Sequence, residues 1–260
     1  MSVAAIRGRW EPRSWIGALP ILTLLAVWQA AATAGVASPA LLPSPPAVFR
    51  RLAESFVDPS YLGHVVVTLY RLFAGFSIAF VLGVSLGLAG ASSPAFGAAL
   101  RPLVRVLAPV PKIAIYPALI LSLGFDDAPK IILVAADALF PILLATYGGA
   151  VAVEPKLVWS ALAAGTTKAG AIWKVLLPAT LPSILTGSRI GLVVSCIVVF
   201  LAEMITSTNG LGYVLIRAAR SFQTVEMFVP LITISLIGLA LNGLLALARR
   251  KLLVGFPEEG

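Results

Sequence analysis

The chain has 260 residues, 59% of them apolar and 12% charged, with a formal net charge of +8 and a mean hydropathy of +1.00. An ordinary globular domain carries about a quarter charged residues, so this composition excludes a soluble fold. The basic excess comes without a basic helix, zinc-finger spacing or aromatic RNA-binding pattern, which excludes a nucleic-acid partner; a lone cysteine, Cys196, and a lone histidine, His64, exclude a disulfide framework and a Cys/His metal cluster.

A helix needs about 20 mostly apolar residues to cross the hydrocarbon core. Arg7, Arg9 and Arg13 precede an apolar stretch ending in AAATAG, the outline of a cleavable signal peptide. Residues 16–34 are nevertheless long enough to span, and further spans follow, so they are read as an uncleaved first helix after a cytoplasmic tail, residues 1–15. Residues 35–64 are Pro-rich and then mildly helical, an external segment with a short interfacial helix. The second span covers 72–91 and begins as early as 65. The third, 106–125, is interrupted by Pro109, Pro111, Lys112 and Pro117. The fourth covers 131–153 and carries only Asp137; the fifth covers 184–205, with Arg189 and Glu203 near its ends; the sixth covers 227–248. The expected fold is therefore an all-α polytopic membrane protein with six transmembrane helices, a core over 65–248 and a basic cytoplasmic tail, 249–260. With a cytoplasmic N-terminus, thirteen Lys and Arg fall on the inner side, among them Arg101, Arg105, Lys168, Arg249, Arg250 and Lys251. Six fall outside: Arg50, Arg51, Arg71, Lys130, Arg217 and Arg220. Cytoplasmic loops are enriched in basic residues, so both termini are placed inside.

The connection between the fourth and fifth spans, residues 154–182, is too long for a simple turn. Pro155 suits a first helical turn, and Leu157, Val158, Ala161, Leu162 and Ala164 share one face. Gly165 and Thr166 break the pattern. Ala169, Ile172, Trp173 and Leu176 form a second stripe, which Pro178 is expected to stop. Periodicity leaves two readings of this helix–turn–helix open: an amphipathic hairpin lying on the membrane, or a docking site for a cytoplasmic partner.

Other patterns narrow the chemistry. Residues 83–87 (GVSLG) satisfy the G-x-S-x-G nucleophile elbow, but they lie inside an uncharged span rather than between strand and helix, with only His64 available as a base. The same residues form G-x-x-x-G, a spacing that lets helices approach closely. No Gly-Lys pair exists, so the chain has no P-loop of its own. Asp137 and Glu203 are acids at membrane depth and, with Arg71, are candidates for the translocation pathway. Arg71, Arg217 and Arg220 could draw an anion to the outer mouth. Asn242 is read as a packing residue. An ion-coupled secondary transporter using Asp137 or Glu203 is the alternative; it would show inverted repeats, and no internal symmetry is visible.

The 154–182 loop resembles the EAA motif of ABC importer permeases, in which Glu-Ala-Ala, three residues, Gly, nine residues, Ile, one residue and Leu-Pro occur in order. Gly165 is followed at that spacing by Val175, Leu176, Leu177 and Pro178; the Glu-Ala-Ala positions hold Trp159, Ser160 and Ala161, so the glutamate is absent. YPALILSLGFDDAPKI (116–131) and LAEMITSTNGLGYVLIRAA (201–219) are similar to the family branch serving sulfonates, taurine and nitrate. The resemblance implies a type I importer permease in a bacterial inner membrane. It implies cytoplasmic ATP-binding subunits gripping Trp159, Ser160, Ala161, Gly165, Thr166, Lys168, Val175, Leu177 and Pro178 of the coupling loop, a periplasmic solute-binding protein, and a second permease copy or paralogue. ATP and Mg would be used by the partner ATPase, with no cofactor or metal on this chain. Aliphatic sulfonate or taurine leads as solute, ahead of nitrate, aromatic carboxylates and vitamin precursors.

Overall fold

A computed structural model of the chain describes residues 14–38 and 40–253; Arg7, Arg9 and Arg13 of the expected tail and residues 254–260 lie outside them. The elements run α1 (Ser14–Thr33), α2 (Pro45–Ser55), α3 (Pro59–Ser92), α4 (Pro94–Leu107), a 3₁₀ turn (Lys112–Ile115), α5 (Tyr116–Leu123), α6 (Asp127–Ala152), α7 (Pro155–Ala163), α8 (Lys168–Ala171), a π-helical turn (Ile172–Leu176), α9 (Leu177–Thr206), α10 (Leu211–Arg220) and α11 (Thr224–Leu252). Among the described residues, four stretches, Pro59–Ser92, Asp127–Ala152, Lys168–Thr206 and Thr224–Leu252, are long and apolar enough to cross a membrane, and α1 adds a shorter apolar helix.

α6 is the central helix, flanked by α3 and α9. Lipid tails are as apolar as leucine, so helices in a bilayer are held by close packing rather than by hydrophobic burial, and small residues allow that closeness. On α3, Gly75, Ala79, Gly83 and Gly87 recur every fourth residue and face Val134, Ala138, Ile142 and Thr146 of α6. A Cβ built at Gly83 would stand 2.9 Å from Ile142 Cγ2, and one at Gly87 would stand 2.7 Å from Thr146 Cβ. The G-x-x-x-G spacing is therefore a packing seam. α9 closes on α6 in the same way: a Cβ at Gly191 would stand 2.9 Å from Ile142 Cγ1.

Several expected boundaries are corrected. α3 starts at Pro59, well before residue 65, because Asp58 caps it by accepting from Ser60 N–H at 2.9 Å and Pro59 fits its first turn. The third span is not one helix: α4 and the 112–123 segment are bent by 78°, and they make a fifth crossing only if taken together. Ser93 caps α4 in a stretch expected to be a connection, while Pro109, Pro111 and Pro117 cannot donate to a continuous helical ladder. The short α5 is held against the bundle by Tyr116 and Ile120, which pack with Leu72, Val134, Leu192 and Val199. Pro178 does not stop the second loop helix. Its ring would clash with the carbonyl of Lys174 in a regular α-turn; the π turn Ile172–Leu176 widens the backbone there, and Pro178 sits in the first turn of α9. α11 runs on to Leu252, so Arg249, Arg250 and Lys251 form its last turn rather than a tail, where basic charge complements the helix C-terminus.

At the end of the bundle opposite the α7–α8 hairpin, α2 and α10 cap the helices through Leu52, Tyr61, Leu211, Val214 and Val229. Arg51 Nε of α2 donates to Glu226 Oε1 of α11 at 2.5 Å, and that hydrogen bond raises the guanidinium pKa above its ordinary value. Trp28 stacks on Phe228 with ring centroids 5.1 Å apart and donates its indole N–H to Pro43 O at 3.0 Å, which fastens α1 to the same end.

Candidate functional site

The 154–182 loop is an exposed helical hairpin. α7 buries no residue, and it ends in a Schellman turn: Gly165 N–H donates to Leu162 O and Thr166 N–H to Ala161 O, both at 3.0 Å. Gly165 has φ +86, a left-handed conformation that glycine adopts without strain, and open space lies where its Cβ would be. Thr167 then caps α8 by accepting from Gly170 N–H at 3.1 Å. The turn is thus fixed by backbone bonds while its outer surface stays free. Trp159 and Trp173 are 65% and 68% exposed, and Ser160, Gly165, Lys168 and Pro178 are exposed with them; Ala161, Thr166, Val175 and Leu177 are half-buried. Leu176 is buried with Leu88 and Ala150, so the hairpin is anchored directly to α3 and α6.

Arg71 and Glu203 meet at the opposite end. Arg71 is 2% exposed and Glu203 0%, and Arg71 Nη1 donates to Glu203 Oε1 at 2.7 Å. All three guanidinium nitrogens are engaged: Nε donates to Asp127 Oδ1 at 2.7 Å, Nη1 also to Ser207 Oγ and Asn209 O, and Nη2 to Asn209 Oδ1. Glu203 accepts further from Thr68 Oγ1 and, at 3.0 Å, from Gly212 N–H in the first turn of α10. His64 Nδ1 accepts from Gly210 N–H at 3.1 Å, and Thr68 Oγ1 from Leu211 N–H at 2.9 Å. A buried carboxylate and two side-chain acceptors therefore satisfy the orphan donors that open α10. Gly210, with φ +100, and Gly212 are glycines because a Cβ at the first would enter the Glu203 carboxyl group and one at the second would meet Phe200 O.

This cluster revises the expected outer charges. Arg71 and Lys130 are buried, not free at a mouth, and Asp127 and Glu203 balance them; Lys130 Nζ donates to Phe125 O at 2.8 Å and Asp126 O at 2.7 Å, tying the α5–α6 turn. Asp137 lies apart on α6, 3.5 Å from Lys112 Nζ. Asn242 accepts from Arg189 Nε at 2.8 Å, an interhelical bond between α9 and α11. Arg217 lies over the Tyr213 ring, 5.5 Å from its centroid, and with Arg220 and Ser207 lines an open pocket beside the cluster. Thr68, Asp127, Ser207 and Asn209 were not singled out from sequence. The available signal was N-G-L-G at 209–212, whose two glycines bracket a helix start.

The molecule thus combines helices long and apolar enough to cross a membrane, a buried and hydrogen-bonded polar cluster at one end, and an exposed hairpin between α6 and α9 at the other. Residues 79–253 match the family described as binding-protein-dependent transport system inner membrane component, and the chain belongs to that family. It is 32% identical over 237 residues to SsuC of Bacillus subtilis, named for aliphatic sulfonates transport, covering 91% of this chain and 86% of that one. It is likewise 32% identical over 241 residues to TauC, the taurine transport system permease protein of Escherichia coli, covering 90% and 87%. In fold it is similar to a chain of the inward-facing MetNI methionine ABC transporter, with a TM-score of 0.65, 17% identity, and coverage of 73% and 94%. The chain is thus an ABC importer permease subunit, and the secondary-transporter alternative finds no support.

Proposed function

We propose that this chain forms, with a second copy or a paralogue, the pathway by which an ATP-driven importer moves a small organic anion, of the aliphatic sulfonate or taurine class, from periplasm to cytoplasm. A periplasmic binding protein delivers the solute to the α2–α10 end. Separate ATP-binding subunits, using ATP and Mg, grip the hairpin at the other end, which is cytoplasmic together with both termini. The observation that carries this reading is the backbone-locked, solvent-exposed turn centred on Gly165, which stands at the EAA spacing and is anchored through Leu176 to the transmembrane core. The anionic solute class is supported by the names of SsuC and TauC.

In this reading the two acids serve structure: the buried Glu203 and the half-buried Asp137 each hold a basic partner, and Arg71 has no donor left for solute. The hairpin docks by apolar contact, with Trp159 in the place of the motif glutamate. Replacing Trp159 by alanine is expected to weaken capture of the ATP-binding subunit about tenfold, the scale of losing one aromatic anchor; co-purification at graded salt and detergent measures it. Unchanged capture, with Ser160→Cys failing to cross-link to the ATP-binding subunit, would place the docking surface elsewhere.

A further inference from the structure

Beside the packed bundle, α4 and α6 enclose a groove of about 250 Å³ lined by Leu100, Arg101, Val104, Arg105, Leu143, Leu144 and Tyr147. Its chemistry is divided. Leu100, Val104, Leu143 and Leu144 make an apolar wall, and two guanidinium groups stand on the α4 side. Arg101 is fixed, donating from Nε to Tyr147 Oη at 2.9 Å and lying 5.9 Å from the centroid of that ring. Arg105 is exposed, and among the described residues it has no hydrogen bond or ion pair and neither arginine has a carboxylate within 4.0 Å. Such a pair repels itself and is balanced by an anion brought from outside.

Depth indicates which anion. Tyr147 lies about twenty residues along α6 from Asp127, hence about 30 Å from the polar cluster at the other end, which is the thickness of a hydrocarbon core. Arg101 is therefore at headgroup level when Asp127 is at the opposite interface, and Arg105 and Leu143–Leu144 lie one turn deeper. Basic pockets between transmembrane helices at this level suit phosphate headgroups, and the apolar wall below suits an acyl chain.

We propose that the α4–α6 groove binds an anionic phospholipid of the inner leaflet, with its phosphate between Arg101 and Arg105 and an acyl chain along Val104, Leu143 and Leu144. The leaflet rests on the orientation proposed above; the binding itself does not. α4 leads through a 78° bend into the 112–123 segment, so a lipid seated here steadies that broken crossing.

The test uses the purified complex of permease and ATP-binding subunits, examined by native mass spectrometry after titration with phosphatidylglycerol or phosphatidylcholine. The wild-type complex is expected to retain phosphatidylglycerol in preference to phosphatidylcholine. Arg105→Gln, which breaks no bond inside the fold, should weaken retention about tenfold, as should Arg101→Gln; Arg105→Lys should restore most of it. Equal retention by wild type and both glutamine variants overturns the proposal. So does a second outcome, in which taurine or butanesulfonate, and not phosphatidylglycerol, protects Arg105→Cys from a water-soluble thiol reagent in a Cys196→Ser background, since the groove would then belong to the solute path. Neither readout requires transport, so failure of the sulfonate reading leaves this result interpretable.

Discussion

Arg71→Met is expected to destabilise the permease by about 3–5 kcal/mol, because it leaves the carboxylate of Glu203 buried without a counter-charge. For a chain of this size that corresponds to a fall in Tm of roughly 10 °C, read by thermal unfolding of the detergent-purified protein. Thr68 and Gly212 still donate to Glu203 in the variant, but two hydrogen bonds do not replace the charge. Replacing both partners, Arg71→Met with Glu203→Met, should recover most of the loss, since a buried ion pair exchanged for apolar residues of similar size is often near neutral. Asp127, the remaining acid, is 43% exposed and can turn to water. A single variant that melts within about 2 °C of wild type would show that the pair carries no stability and would return Arg71 to the list of solute contacts.

Gly165→Val is expected to uncouple ATP hydrolysis from uptake. A β-branched residue at φ +86 is a genuine outlier, costing about 1–2 kcal/mol of left-handed strain, or roughly tenfold in the population of the intact turn. Gly165→Asn should stay close to wild type, because asparagine visits this region readily. The contrast isolates the backbone, since a Cβ at this position meets nothing within 4 Å in the chain. Solute accumulated per ATP hydrolysed in proteoliposomes is the measure; equal ratios for the two variants would mean that the turn geometry does not transmit the stroke.

The membrane class, the hairpin and its helical halves were legible because each depends on local signals: apolar run length, Pro155 opening a helix, Gly165 closing one. The polar cluster was not, because its members lie far apart in sequence, Arg71 pairing with Asp127 and with Glu203 across different helices. Periodicity carries no information about such partners. Arg71 and Lys130 fall just outside the apolar runs 72–91 and 131–153, where an unpaired charge would be solvated, so sequence assigned them to an outer surface; both lie inside longer helices, and their burial became possible only through Glu203, Asp127 and the carbonyls of Phe125 and Asp126. Pro178 misled for a related reason. A proline ends a regular α-helix, but the π turn before it absorbs the clash, and α9 continues for thirty residues.

The central claim is that this chain supplies a passage driven by ATP hydrolysed on a partner gripping its hairpin. Taurine uptake into proteoliposomes containing the permease, its ATP-binding subunit and its binding protein tests this most directly. The account predicts accumulation that requires ATP, Mg and all three proteins and that ignores proton and sodium gradients. Uptake by the permease alone under such a gradient, with no ATP-binding subunit present, would contradict it.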